Sequence, residues 1–489
     1  MAVTAVTAPS RVPRSPGLTL LIASFGTLLV LIDYTSPLTT LTPTAAALHI
    51  SPSAQTWVLT GTLAALASLL LTMGSAADDY GRKRVFSAGV VLLLLSTGLS
   101  AIATNPALFL TGRVLQGCAA AAILAPTLGL ISNVYPVGQA RVRALGMWGA
   151  SVGLGIALGP VYAALLEKAG GWRSIYWVLA ALSVLLLVLT AFGLNESRNE
   201  NPRRLDPLGV LTLTAGSALL VAGLSEGRDG WGRASVIVLL VLGVLLLAAF
   251  ALVESRVAEP MLDLALFRSP GFIASSSGAL FTGLSIVGLM SYLPTVLQKS
   301  LGETPLAASG VLAIWSGLSV VSALQARRLA GRFEAITMVA GSLLLCGIGE
   351  AALYGLHANG SWTHLVPGLV VTGIGSGVLN AALARLAVSS VPADRAAMGS
   401  GANNSARYLG SALGVAIVVT LVSQAKSAAG PAHAMASGAN TAILVAAALC
   451  LAGAAIALWA RRAEARSAGA APQPLPAAKA GHSTVGSPS

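Results

Sequence analysis

The chain has 489 residues, of which 55% are hydrophobic and only 9% charged, and its mean hydropathy is +0.81. That is far more apolar surface than a soluble fold of this length buries, so a lipid bilayer is the expected solvent. A formal charge of +12 would suit nucleic acid if the bases were gathered on one domain; they are scattered between apolar runs, which argues against that use and for membrane topology.

A hydrocarbon core of about 30 Å is crossed by about 20 apolar residues in a helix, and only helices or closed barrels can cross it. The runs here are long and do not alternate, so they predict helices. Residues 1–17 carry two arginines and three prolines with no apolar core or cleavage site, and read as a cytoplasmic N-terminal arm. Spans follow near 18–44, 54–77, 84–103, 107–134, 142–166 and 174–194, an N-terminal six-helix bundle over 18–194. The polar link "NESRNENPRRLDP" opens a linker, 195–270, with two extra transmembrane helices near 207–224 and 235–253, closed by "ESRVAEPMLDLALFRSP". Six more spans near 272–298, 305–329, 335–356, 363–391, 396–424 and 438–460 form a C-terminal six-helix bundle over 271–460, and 461–489 reads as a disordered cytoplasmic tail. The expected architecture is all-α and integral to the membrane, with 14 transmembrane helices arranged 6+2+6.

With the amino terminus in the cytoplasm, twenty of the 29 bases fall in inner segments, among them Arg11, Arg14, Arg82, Lys83, Arg84, Arg203, Arg204 and Lys479. Six, including Lys168, Arg228 and Lys299, fall outside, and Arg113, Arg385 and Arg407 lie within spans. The bias supports an even span count with both termini cytoplasmic. The two blocks of six also echo each other: "LGIALGP" (154–160) is repeated as "LGSALGV" (409–415), each after a helix ending in a proline-bearing turn, "NVYPVG" or "SSVPAD". Duplicated halves around a midplane site are the architecture of secondary transporters.

Charges inside spans are the candidate site. Asp33 lies about fifteen residues into its helix, deep in the membrane at about 1.5 Å per residue. Desolvation there favours the protonated carboxyl, which suits a group that takes up and releases a proton; a structural acid bonded to a neighbouring helix is the alternative. Arg113, about six residues into the fourth span, either snorkels to lipid or faces inward, and the Gln116, Gly117 and alanines that follow favour the inward orientation. In the fifth span Gly149 and Gly153, and Gly155 and Gly159, are spaced for close helix approach, and Pro160 permits a kink. Glu350 suits either snorkelling or cation recognition, Arg385 is expected to snorkel, and Arg407 with Asn403 and Asn404 is a polar-cavity candidate. Cys118, Cys346 and Cys450 read as packed thiols, and the histidines, in outer connections or the tail, as non-ligands. "GIGSG" (373–377) lies in an apolar helix with no preceding strand, and no Walker loop occurs, so neither a cofactor nor ATP is expected.

Four of these segments together resemble the major facilitator superfamily, and within it the fourteen-helix drug/proton antiporters of multidrug efflux. "GSAADDYGRKR" is similar to the loop signature between helices two and three, placing Gly74, Asp78, Gly81, Arg82 and Arg84. "GRVLQG" resembles the R-x-x-Q-G signature of helix four, with Arg113, Gln116 and Gly117, and "GLGIALGP" the antiporter signature of helix five, with Gly155, Gly159 and Pro160. "IDYT" is similar to the Asp-x-Thr of the fourteen-helix branch, placing Asp33 and Thr35. Two departures stand out: hydroxyl- and proline-rich "YTSPLTTLTPT" after Asp33, and Ala163 and Ala164 after the Gly-Pro.

The resemblance implies a proton relay through Asp33 and Arg113, a bend or seal at helix five, and a loop that latches one conformation, though its bases also serve topology alone. Thr35, Gln116, Glu350, Asn403 and Arg407 are the possible substrate-cavity residues. The expected function is proton-coupled antiport that exports amphipathic drugs or toxic organic compounds by alternating access, in the cytoplasmic membrane. The alternative is dedicated export of one metabolite, antibiotic or lipid; a polytopic enzyme or receptor is disfavoured because no catalytic cluster or sizeable soluble domain is visible. The expected partners are a small-molecule substrate, protons and membrane lipid, with no nucleic acid, metal or cofactor, and the chain acting as a monomer.

Overall fold

The computed structural model describes residues 15–199, 206–227, 230–257, 260 and 262–469. Arg11, Arg14, Arg203, Arg204, Arg228, Lys479 and His482, with most of the N-terminal arm and residues 470–489 of the tail, lie outside the described residues. The described chain is all-α. The first seven helices are α1 (Pro16–Thr35), α2 (Pro37–Leu48), α3 (Pro52–Tyr80), α4 (Arg82–Ala101), α5 (Pro106–Val134), α6 (Gln139–Gly170) and α7 (Trp172–Gly193). Two follow as a hairpin, α8 (Pro207–Glu226) and α9 (Ala234–Glu254). The rest are α10 (Pro270–Phe281), α11 (Gly288–Ser300), α12 (Pro305–Ala330), α13 (Ala335–Ala351), α14 (Val366–Ser389), α15 (Ala396–Gln424) and α16 (Pro431–Gly469).

Among the described residues thirteen segments are long and apolar enough to cross a bilayer, and α13 is a shorter apolar helix of 17 residues. At about 1.5 Å per residue α13 is about 26 Å long. It ends before the expected 356 because the chain turns out of helix after Ala351. The first expected span is interrupted: α1 stops at Thr35 and α2 restarts at Pro37, which has no N–H to continue the ladder, while the Ser36 hydroxyl donates to Ile32 O at 2.6 Å. The ninth contains a π-helical turn, Thr282–Val287, between α10 and α11. The last helix runs to Gly469 instead of ending near 460, so residues 461–469 of the expected disordered tail are helical.

Caps at several helix starts follow from sequence. Ser51, Asn105, Asp206 and Thr304 each accept a backbone N–H through the side chain, and a proline opens each of the four helices. Two apolar cores result. Leu29, Leu66, Phe86, Phe109, Ile123 and Tyr176 are buried in the first, formed mainly by α1–α7 with Val221 of α8 and Tyr408 and Ala412 of α15. Ile286, Leu289, Val339, Leu343, Leu379 and Ile443 are buried in the second, formed within α10–α16. The α8–α9 hairpin packs on α3 and α15 and leaves Ile237, Val241 and Leu245 of α9 exposed, an apolar face suited to lipid. The two groups meet where α3 packs on α15 and where α6 packs on α12 and α14.

Candidate functional site

Asp33, near the end of α1, is 1% exposed, and Arg113, in the second turn of α5, is 0% exposed. The Arg113 Nη1 lies 3.4 Å from Asp33 Oδ1 and donates at 3.3 Å to the Asp33 carbonyl and at 2.6 Å to Gln116 Oε1. Its Nε donates to Val58 O on α3 at 3.2 Å, and Gln116 Nε2 donates to Ser100 Oγ on α4 at 3.1 Å. One guanidinium thus ties α1, α3 and α5 together, and α4 through Gln116. Lipid-facing snorkelling is ruled out for Arg113 by this burial. Its Nη2 has no partner, and a buried orphan donor of this kind costs about 1–3 kcal/mol or more.

The glycines of α6 form two faces. A Cβ on Gly155 would meet Leu31 Cβ at 2.7 Å, and one on Gly159 would collide with the Thr35 hydroxyl, so this face lies directly on α1 beside Asp33. Gly149 and Gly153 face the second group instead, toward Ala381 of α14 and Val320 of α12.

At the other end of α3 the turn into α4 forms a charge cluster. Asp78 is 0% exposed; its Oδ1 accepts from Arg82 Nε at 2.9 Å and Nη2 at 2.7 Å. It also accepts the backbone N–H of Ala397 (3.1 Å, Oδ1) and Met398 (2.7 Å, Oδ2), the amino end of α15. A Cβ on Gly74 would lie 2.6 Å from Ala397 O, which explains why a glycine is needed there. Gly81 sits at φ +123°, a region favouring glycine, with the Glu196 carboxylate packed where a side chain would go. Glu196 accepts the N–H groups of Lys83 and Arg84, strapping the segment after α7 over the turn. A second pair, unforeseen from sequence, crosses between the groups: Arg395 Nη1 donates to Asp79 at 2.9 Å, both side chains buried. Next to this cluster a vestibule of about 940 Å³ is lined by Arg82, Arg141 and Arg385, with Glu334 and Glu464.

In the half of the molecule away from that cluster, a cleft separates the groups. It encloses about 80 Å³ of free space, within an envelope of about 780 Å³ that includes its open mouth, and lies between α1, α2, α6, α11 and α12. Tyr34, Thr35, Leu38, Thr39 and Pro160 form one wall; Met290, Ser291, Gln298, Trp315 and Ser316 belong to the other. A mostly apolar lining with a few polar groups is the composition of a small-molecule site, and its free volume in this conformation is narrow, so the two walls must part to admit a drug-sized molecule. No charged side chain lines it among the described residues. Burying an unpaired ammonium-sized charge costs several kcal/mol, against about 2 kcal/mol or more that a desolvated aromatic face returns to a cation.

Comparison with known proteins identifies the family and the fold. The Major Facilitator Superfamily family model matches residues 23–415. The chain belongs to the major facilitator superfamily. It is 34% identical over 411 residues to the puromycin resistance protein pur8 of Streptomyces alboniger, covering 82% of this chain and 80% of that one. It is 30% identical over 408 residues to the multidrug resistance protein Stp of Mycobacterium tuberculosis, covering 83% and 75%. The human organic anion transporter MFSD10 shares the fold at a TM-score of 0.64 and 16% identity, over 91% of this chain and all of that one. This major facilitator is a multi-pass membrane transporter homologous to antibiotic resistance and multidrug efflux proteins, not an enzyme.

Among this transporter's five cavity candidates, Thr35 lines the cleft and the other four do not. Gln116 belongs to the Arg113 network. Glu350 does not snorkel: it is 0% exposed inside the second group and accepts from Ser285 at 2.6 Å, with Cys450 beside that hydroxyl. Asn403 donates to Ser275, and Asn404 to Ser400 O within α15. Arg407 is 6% exposed with Nε unpartnered. Arg385 reaches the vestibule, its Nη1 buried without a partner. The cleft aromatics Tyr34 and Trp315 escaped sequence reasoning because an aromatic residue in an apolar run reads as core.

Proposed function

We propose that this transporter is a proton-driven antiporter exporting amphipathic organic compounds across the cytoplasmic membrane, working as a monomer with fourteen spans arranged 6+2+6. The observation that carries the reading is the adjacency of the buried Asp33–Arg113 pair to the cleft: Tyr34 and Thr35, the next two residues, line the cleft. Protonation of Asp33 removes the charge attraction for Arg113, which Gln116 and Val58 O retain; α1 is then held to the guanidinium only through the Asp33 carbonyl, and this weaker tie lets it shift against Gly155 and Gly159. The cleft wall moves with it, which links the proton to the substrate.

The basic residues Arg82, Lys83, Arg84, Arg141, Arg143, Arg327 and Arg328 gather at the end carrying the Asp78 cluster, which supports a cytoplasmic location for that end and for both termini. The cleft then belongs to the outer half, and rocking of the two groups would carry access from one side to the other. A proton crossing about 100 mV releases about 2.3 kcal/mol and each pH unit adds about 1.4 kcal/mol, so one or two protons sustain roughly tenfold to thousandfold gradients.

Similarity to a puromycin resistance protein and a multidrug resistance protein supports export of drug-like compounds. A dedicated exporter of one metabolite is the second reading, favoured by the hydroxyls of Tyr34, Thr35 and Thr39 on one cleft wall. Proton flux in everted vesicles tests both. Addition of substrate should dissipate an imposed proton gradient, and Asp33→Asn should abolish that response. Coupled efflux that survives Asp33→Asn would remove Asp33 as the carrier, and a response to a single compound from a broad panel would favour the dedicated exporter.

A further inference from the structure

We propose that the cleft selects uncharged amphipaths that offer one hydrogen-bond acceptor and hydroxyl or amide donors, and that it turns away permanent cations. The proposal rests on the export reading and specifies its substrate.

The buried acids of α1, α3 and α13 are engaged elsewhere. Asp33 faces Arg113, Asp78 holds Arg82 and the start of α15, Asp79 holds Arg395, and Glu350 is closed inside the second group against Ser285. No carboxylate among the described residues reaches the cleft lining, so a cation entering it meets no counter-charge. The aromatic faces of Tyr34 and Trp315 offer a cation no opposite charge, and they serve a flat uncharged ring equally well.

Four hydroxyls of the lining share one sense. Ser291 donates to Val287 O, Ser316 to Leu312 O, Thr35 to Leu31 O and Thr39 to Pro160 O. These hydroxyls have committed their protons to backbone carbonyls and present lone pairs, which accept from a substrate O–H or N–H. Trp315 is the converse. Its residue is 6% exposed and its Nε1 is buried with no partner, a donor in want of an acceptor. A molecule with a carbonyl, nitro or ether oxygen near Trp315 and hydroxyl or amide protons toward α1 and α11 satisfies both sets.

Binding of four probes to the purified full chain in nanodiscs, together with their transport by the reconstituted protein, tests this. Chloramphenicol and resveratrol are uncharged at pH 7; ethidium and tetraphenylphosphonium are permanent cations. The uncharged pair should bind at least about tenfold more tightly than the cations and should alone be transported. Trp315→Phe should weaken chloramphenicol about fivefold and leave tetraphenylphosphonium unchanged. Gln298→Glu, nearly isosteric, should strengthen tetraphenylphosphonium about tenfold while chloramphenicol stays within about threefold. Cations bound and moved as well as the uncharged probes would overturn the selectivity and leave export standing. Movement of none of the four would remove export and selectivity together. If Trp315→Phe does not fold, the Gln298→Glu comparison still decides, because failure of the added carboxylate to favour the cation would sink the charge argument.

Discussion

Arg113 makes its shortest bond not to Asp33 but to Gln116, at 2.6 Å against 3.4 Å. The guanidinium is therefore anchored whether or not Asp33 carries charge, and Asp33 is the member of the pair whose bond is loose enough to break. Lysine has a single ammonium and cannot serve Val58 O on α3 and the Asp33–Gln116 side together. Arg113→Lys should lower proton-coupled efflux at least about tenfold with abundance in the membrane unchanged. Arg113→Ala should also lower stability, by about 3–5 kcal/mol, since it leaves a buried carboxylate unpaired. Efflux rates beside thermal unfolding of the purified variants check both. Asp33 and Arg113 were legible in the sequence because a charge in an apolar run has few inexpensive explanations. That they meet was not, because they are 80 residues apart and nothing local encodes the distance.

Helix α6 packs against both groups. Its Gly155 and Gly159 face packs on α1, while Gly149 and Gly153 turn to α14 and α12. The spacing of these glycines could be read directly from the chain, but which pair faced which neighbour depended on the packing of both groups. The break at Ser36 was hidden for a similar reason, since an apolar stretch containing Pro37 and Pro43 reads equally as one kinked helix or two. At the far end of α3, Asp79 stands next to the recognised Asp78 yet its partner Arg395 comes from the turn before α15, 316 residues on. Either single change, Asp79→Ala or Arg395→Ala, should cost about 3–5 kcal/mol by stranding a buried charge. The swap Asp79→Arg with Arg395→Asp should recover at least half of that, as measured by thermal unfolding in detergent. A swap no better than the worse single variant would mean that each residue acts through other neighbours.

For the whole molecule, the proposed alternating access requires the α3–α15 end, closed in this conformation, to open and break the contacts made there. Asp78 accepts two α15 amides, and at about 1.5–3 kcal/mol for each bond to a charged group these contribute about 3–6 kcal/mol to the closed end. Moving a two-state equilibrium from 1:99 to 99:1 takes about 5.5 kcal/mol. Loss of this one carboxylate is thus large enough to reverse the preference of the whole transporter. Arg143 on α6 and Arg328 on α12 are exposed on opposite groups at that end. Spin labels at Arg143→Cys and Arg328→Cys, in a background with Cys118, Cys346 and Cys450 replaced, would report their separation. Asp78→Ala should shift the distance distribution several ångströms longer and reduce efflux, with insertion unchanged because Arg82, Lys83 and Arg84 remain to fix topology. An unaltered distribution together with full efflux would remove the latch and leave the loop its topological role alone.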